Sequence, residues 1–282
     1  FYKALLQAGT LAPIDALIDA LSTRGINPLP IYISSLKDPV SVELLTSICE
    51  ETAPSIVLNA TGFAVSQPGA PRAETAFDAM GCPVLQVVLG GSTHASWEAN
   101  VQGLSPKDLA MNVVLPEVDG RILARAISFK SEARYDPETE ISVAYHEAVQ
   151  DRVNFTADLA ARWVRLAKTP AQDRRIAIVL ANYPNKDGRL GNGVGLDTPA
   201  SAINVLNALA RHEYTVDSIP GDGNALMQQL SAGPTNALDH RHLRKGGVRL
   251  SQSEYQAHFD TLPESVRRKV SKRWGAPATD PF

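Results

Sequence analysis

The chain has 282 residues, 44% hydrophobic and 20% charged, with 27 Lys and Arg against 30 Asp and Glu for a formal net charge of −3. That balance fits one large or two ordinary globular domains with a substantial core, and it argues against nucleic acid or an anionic membrane surface as the general partner. Two cysteines, Cys49 and Cys82, make no disulfide framework, and no uncharged apolar run is long enough to span a bilayer, so a cytoplasmic protein in a reducing compartment is expected.

The chain opens on Phe1-Tyr2-Lys3-Ala4-Leu5-Leu6, with no initiator Met, basic n-region or cleavage site. The expectation is an internal piece of a longer enzyme. Residues 12–24 read as a helix, because Ile14, Leu17, Ile18 and Leu21 recur at helical spacing and Gly25 follows. Residues 29–34 read as a strand. Asp38-Pro39 supplies an N-cap and a first-turn proline for a helix whose stripe is Val42, Leu45, Ile48 and Cys49. Residues 55–59 and 83–89 are near-continuous apolar runs of the kind buried in parallel sheets, with a helix expected over 72–80 between them. Further on, 111–116 and 121–129 read as strands joined by an acidic hairpin turn at 117–120, and 141–168 as one long helix. Residues 169–173 look like a domain boundary. Beyond it come a strand over 175–180, a helix over 199–212, a strand over 214–219 and helices over 222–232, 253–262 and 263–274. The expected architecture is α/β: parallel sheets flanked by helices, in two α/β parts joined by a long helix. Residues 1–134 form the first, 135–172 the helical connector, and 173–282 a second, βαβ part that is incomplete at its C-terminus.

The loop between the 175–180 strand and the 199–212 helix is the segment richest in chemistry. It holds Asn182, Tyr183, Lys186, Asp187, Gly188, Gly191, Asn192, Gly193, Gly195 and Asp197, after a strand and before a helix, where α/β proteins bind ligands. Glycines allow close backbone approach, and a helix N-terminus offers free N–H groups to an anion. No Lys-Ser or Lys-Thr pair follows, so it is not a P-loop, and the glycine spacing is not the dinucleotide fingerprint. A substrate-binding loop and a structured loop with several positive-φ turns are both compatible with the pattern. Asn59-Ala60-Thr61-Gly62-Phe63 and Gly90-Gly91-Ser92-Thr93-His94 each follow a buried strand and are expected at the carboxyl edge of the first sheet. Ser92 or Thr93 suits a helix cap, and His94 suits either a local or a catalytic role. His146-Glu147 lacks a second His at zinc-protease spacing, and His240-x-His242 lies among Arg241, Arg244 and Lys245, which oppose a cation. No metal site is expected. A capping box is expected at Thr261-Leu262-Pro263-Glu264, followed by a helix with a Val266, Val270, Trp274 stripe and a basic face.

Across Tyr183-Pro184-x-Lys186-Asp187-Gly188-x-x-Gly191-Asn192-Gly193-x-Gly195-Leu196-Asp197 the chain closely resembles the large-subunit family of ATP-dependent cobaltochelatase and magnesium chelatase. Asn59-Ala60-Thr61-Gly62-Phe63, Cys82-Pro83-Val84-Leu85-Gln86 and Leu115-Pro116-Glu117-Val118-Asp119-Gly120 are similar to it as well, in the family's order. The Asn-Gly-Val-Gly form of the loop favours the cobalt branch over magnesium. The resemblance implies a large multidomain subunit that binds a corrin and hosts insertion of Co2+, its substrate, into hydrogenobyrinic acid a,c-diamide in aerobic cobalamin biosynthesis. It implies that separate AAA+-type subunits, alongside integrin-like chelatase subunits, hydrolyse the ATP. The family's His-Gly-x-x-Glu…Pro-Gly-Lys segment is absent from these residues, so the chain alone is expected to be inactive and to hold no tightly bound cofactor. His94, Glu117 and Asp187 are the candidates for helping proton or metal transfer. The competing class is a non-catalytic α/β small-molecule-binding module.

Overall fold

The computed structural model describes residues 1–183, 189–235 and 243–279. The chain divides into two compact units, residues 1–170 and 171–282.

The first unit is built on a four-stranded sheet of order β1-β2-β3-β6, in which β1 (Val57–Asn59), β2 (Val84–Thr93) and β3 (Ile122–Lys130) run parallel and β6 (His146–Ala148) antiparallel. Before the sheet come α1 (Lys3–Gln7), α2 (Ala12–Ser22) and α3 (Pro39–Thr52). Asp38 caps α3 by accepting from the Ser41 N–H at 3.2 Å, with Pro39 in the first turn, so the local signals there are obeyed. One face of the sheet is sealed by α2 and by α7 (Gln150–Lys168): Leu17, Ala20 and Leu21 meet Leu85, Val87, Ile127, Val153, Ala157 and Ala160 in one buried cluster. The other face packs Val88, Ala126 and Phe129 against Trp97, Leu104 and Val113. The near-continuous apolar strands are thus covered on both sides, as a parallel sheet requires.

Several local expectations fail, each for a physical reason. Residues 29–34 form no strand but a single parallel bridge from Ile33 to Tyr2, because Pro28 and Pro30 have no N–H to give a ladder. Residues 72–80 are irregular except for a 3₁₀ turn at Asp78–Met80. The Asp78 carboxylate accepts the Thr75 N–H at 2.6 Å and its hydroxyl at 3.0 Å, an alternative to helical bonding. Residues 111–116 are helical, not extended. After α4 (His94–Ala99), the chain forms α5 (Pro106–Leu109), a π turn at Ala110–Val114 and α6 (Leu115–Val118). The Leu115 N–H reaches back to the Ala110 carbonyl, and this wider turn accommodates Pro116, which has no N–H and crowds the preceding turn. Residues 106–118 therefore make a crossover between parallel β2 and β3, and the expected hairpin is absent. Nor is 141–168 one helix. Ile141–Val143 (β5) pairs with β4 (Arg134–Asp136), β6 follows, and only then does α7 begin. The β-branched, alternating Ile141 and Val143 favour strand there.

The second unit contains α8 (Thr198–Arg211), α9 (Gly223–Ala232), α10 (Gln252–Asp260) and α11 (Glu264–Trp274). The expected strands over 175–180 and 214–219 enter no ladder, the second being bent at Asp217, and no strand occurs among the described residues of this unit. The expected capping box is displaced by one helix: Ser251 and Glu254 cap α10 reciprocally, whereas α11 starts from Pro263 with no side-chain cap. No helix among the described residues is long and apolar enough to cross a membrane.

Candidate functional site

The carboxyl edge of the first sheet collects the most chemistry. Thr93 pairs with Lys130, and Lys130 pairs with His146. These three residues form one row across β2, β3 and β6, about 10 Å from end to end at the usual strand spacing. Thr93 is committed to its helix, accepting from the Ser96 N–H at 3.2 Å as the N-cap of α4. His94 follows it and is exposed. Its ring stacks on Trp97 with centroids 5.5 Å apart and leans on Phe129 at 5.3 Å, while the Arg152 guanidinium covers the Trp97 ring at 4.6 Å. Two glycines make this packing possible: a Cβ on Gly90 would stand 2.7 Å from the Phe129 ring, and one on Gly91 would stand 3.1 Å from the Asp108 carboxylate.

Asp108 is buried beneath this edge. It accepts from the Gly91 N–H at 3.0 Å, the Ser105 hydroxyl at 2.8 Å and the Asn112 amide at 3.4 Å. His146 Nδ1 lies 3.3 Å from the Ser128 hydroxyl. Burial and then Lys130 push the His146 pKa below the ordinary imidazole value, with Asp108 opposing. The imidazole is therefore held neutral at pH 7 and can receive a proton. Sequence reading placed His146 on a helix and missed Lys130, Asp108 and Arg152. The Ser105-x-x-Asp108 cap pattern was the one available signal.

Glu117 and His94 are not brought together. Glu117 is exposed on α6, before the start of β3, whereas His94 lies past the end of β2, level with the end of β3. The length of β3, Ile122 to Lys130, separates those levels by roughly 26 Å. Near Glu117 the structure instead builds a buried polar lock. Asp119 accepts from the Val65 N–H at 2.8 Å and the Ser66 N–H at 3.0 Å, and pairs with Arg121 at 2.8 Å. Arg121 also reaches the Thr61 carbonyl at 3.4 Å, to which Gln86 donates at 2.9 Å, and Asn59 donates to Gln86 at 2.8 Å. Burial pushes the Asp119 carboxyl upward, but the two N–H donors and Arg121 outweigh it and its pKa lies below the usual value. Asn59 and Thr61 are thus spent on holding the loop after β1.

In the second unit, Lys186, Asp187 and Gly188 lie outside the described residues, as do His240 and His242. The rest of the glycine loop is a pair of small bridges, Asn182 with Leu190 and Gly193 with Leu196. Asn192 donates to the Tyr183 carbonyl at 3.4 Å. Gly191 and Gly195 have φ of +65° and +73°, the left-handed turns that favour glycine. Gly193 is required for space instead, since a Cβ there would lie 2.6 Å from the Thr198 hydroxyl. Asp197 caps α8, accepting from the Ala200 N–H at 3.0 Å. Tyr183 is exposed, and Asn182 and Gly191 line an open cleft of about 510 Å³ walled by Leu180, Leu206, Leu226 and Leu230. Among the described residues the buried Asn182 Oδ1 has no hydrogen-bond partner. Among the described residues no three of His, Cys, Asp and Glu converge as a metal-binding group.

The family model described as CobN/Magnesium Chelatase matches residues 1–281. The aerobic cobaltochelatase subunit CobN of Sinorhizobium sp. is 54% identical over all of this chain, and that of Pseudomonas aeruginosa 44%; the chain spans 22% of each. The magnesium-chelatase subunit ChlH of rice is 26% identical over 93% of the chain and 18% of its own length. Among solved structures, the catalytic subunit of cobaltochelatase from Mycobacterium tuberculosis superposes with a TM-score of 0.78 at 32% identity, over 98% of this chain and 23% of that one. The chain thus spans about a fifth of the length of the relatives it matches, and its sequence and its fold both carry the same likeness from end to end: it belongs to the CobN/magnesium chelatase family.

Proposed function

We propose that this chain works as part of the large, tetrapyrrole-binding subunit of an aerobic cobaltochelatase, in the insertion of Co2+ into a corrin for cobalamin biosynthesis. The observation that carries this reading is the gradient of likeness: 54% and 44% identity to CobN subunits against 26% to the rice magnesium-chelatase subunit, each over nearly the whole chain. Co2+ and the corrin are substrates. ATP is hydrolysed by AAA+-type subunits that act with integrin-like subunits in a cytoplasmic complex, which fits a chain without a P-loop.

Insertion of a divalent cation displaces the proton held on the ring nitrogens of the corrin, so the site needs a neutral acceptor. The row of Thr93, Lys130 and His146 with His94 beside it answers that need best. His146 supplies a neutral imidazole, His94 a ring exposed on an aromatic shelf, and Lys130 a cation for a corrin carboxylate. The glycine loop, through Asn182, Tyr183, Gly191, Asn192 and Gly193, is the second candidate surface for the corrin.

The experiment is replacement of the matching segment in the full-length Sinorhizobium subunit by this sequence, with cobalt insertion followed through the absorption of the cobalt corrin. Turnover within about tenfold of the parent is expected. A folded chimera that inserts Mg2+ into a porphyrin but no Co2+ into the corrin would overturn the reading.

A further inference from the structure

The second unit contains two segments, an apolar one over 175–181 and a mixed one over 215–219, whose backbone joins no ladder. Residues 175–180 read Arg-Ile-Ala-Ile-Val-Leu, a run of the kind buried on both faces in a parallel sheet, yet Ile176, Ile178 and Val179 are exposed at 53%, 42% and 90%. Among the described residues, no backbone N–H or carbonyl of 175–181 or of 215–219 has a backbone partner. The two segments start from the same end. Arg174 donates to the Tyr214 hydroxyl at 2.9 Å, and the Thr215 hydroxyl donates to the Gln172 carbonyl at 2.8 Å. With α8 between them in sequence, they have the connectivity of a parallel βαβ crossover. They do not touch as a ladder. Both line one open cleft of about 410 Å³, the first through Ile176 and Ile178, the second through Val216 and Ser218, together with Leu206 and Leu209 of α8.

A lone strand edge leaves its backbone groups to water, and an apolar one invites pairing. Two segments with unpaired backbone lining one cleft beside Leu206 and Leu209 leave donors and acceptors of both without a partner among the described residues. An extended segment satisfies both at once, placing every second side chain on the helix. A small molecule or a helix would leave the two rows of peptide groups unpaired.

We propose that this cleft receives one extended β-strand with alternating apolar residues, supplied by another part of the same large subunit. This rests on the reading of the chain as part of such a subunit. The relatives carry more than three quarters of their length outside the matched region, as the 22% and 23% coverages show, so the same polypeptide has ample chain to provide it. The inserted strand completes the sheet of the second unit and ties the glycine loop, which follows 175–181 directly, to the rest of the enzyme.

The test is amide hydrogen exchange, read by mass spectrometry, on the 282-residue chain and on the full-length subunit that contains it. Peptides covering 175–181 and 215–219 are expected to exchange at open-chain rates in the short chain and at least about tenfold more slowly in the full subunit. Equal protection in both would mean that the two segments pair with each other, or with a second copy if the protection rises with concentration, and would overturn the proposal. Rapid exchange in both would leave the cleft open and overturn it equally. Cobalt insertion by the same full-length sample is a separate readout: protection without insertion would keep the strand and remove the assigned activity, and insertion without protection would do the reverse.

Discussion

Asp119 and Arg121 face each other at 2.8 Å with both side chains 1% exposed, and the buried Arg121 Nε has no hydrogen-bond partner among the described residues. Removing one member leaves a buried charge uncompensated. Asp119→Ala is therefore expected to lower unfolding stability by about 3–5 kcal/mol, read as a shift in the urea midpoint, and an effect below about 1 kcal/mol would show the lock to be dispensable. His146 makes a pH-dependent contribution of known sign. Its folded pKa lies below the ordinary value, so the folded state binds fewer protons than the unfolded one. Stability from this group is fully present above an unfolded pKa of about 6.5 and is lost as the pH falls through that value toward the lower folded one. His146→Gln should flatten the stability profile between about pH 7.5 and 5.5 relative to the unsubstituted chain. Identical slopes would show that burial does not bias its protonation.

At the scale of elements, the glycine loop and α8 are coupled by a contact that spacing does not reveal. A positive-φ requirement suits Gly191 and Gly195, but Gly193 is limited by the Thr198 hydroxyl in the first turn of the helix. Gly193→Ala is expected to cost about 1–3 kcal/mol through overpacking. Adding Thr198→Ala should restore most of that loss, and a double variant no better than the single one would place the constraint elsewhere. In the full-length enzyme, Gly193→Val should reduce cobalt insertion more than it reduces stability if the loop lines the corrin site. Wild-type turnover would leave the loop as scaffolding only. On the sheet, Ile127 is fully buried between α2 and α7, and Ile127→Ala should lower stability by about 2–5 kcal/mol, measured by the same denaturation.

For the whole molecule, the expected result is that the isolated chain neither hydrolyses ATP nor completes cobalt insertion. Rate depends on holding the reacting groups together, and a chain spanning about a fifth of its relatives presents only some of them. Mixing it with the AAA+-type and integrin-like subunits proposed to act with it, Co2+, ATP and the corrin, and following the absorption of the cobalt corrin, checks this. Turnover near that of a full-length subunit would redirect attention to His94 and His146 as sufficient groups.

What the sequence by itself determined is largely local or carried by motif order. Helix α2 lies where its apolar stripe puts it and α3 where Asp38-Pro39 caps it, and the runs at β1 and β2 are parallel strands. The family was readable from residues at 59–63, 82–86, 115–120 and 183–197, because such motifs depend on residue identity and order, not on contacts. Tertiary structure decided the rest wherever one apolar pattern suits two conformations. The run before Pro116 became a helix because a wide turn absorbs the proline and the crossover must return to the other end of the sheet. His146 left its expected helix because β3 offered an unpaired edge, and that pairing is what brings it level with Lys130 and Thr93. The segments 175–180 and 214–219 have the composition of strands and lack the partner, since a ladder is a property of two chains segments side by side and no single segment encodes its neighbour.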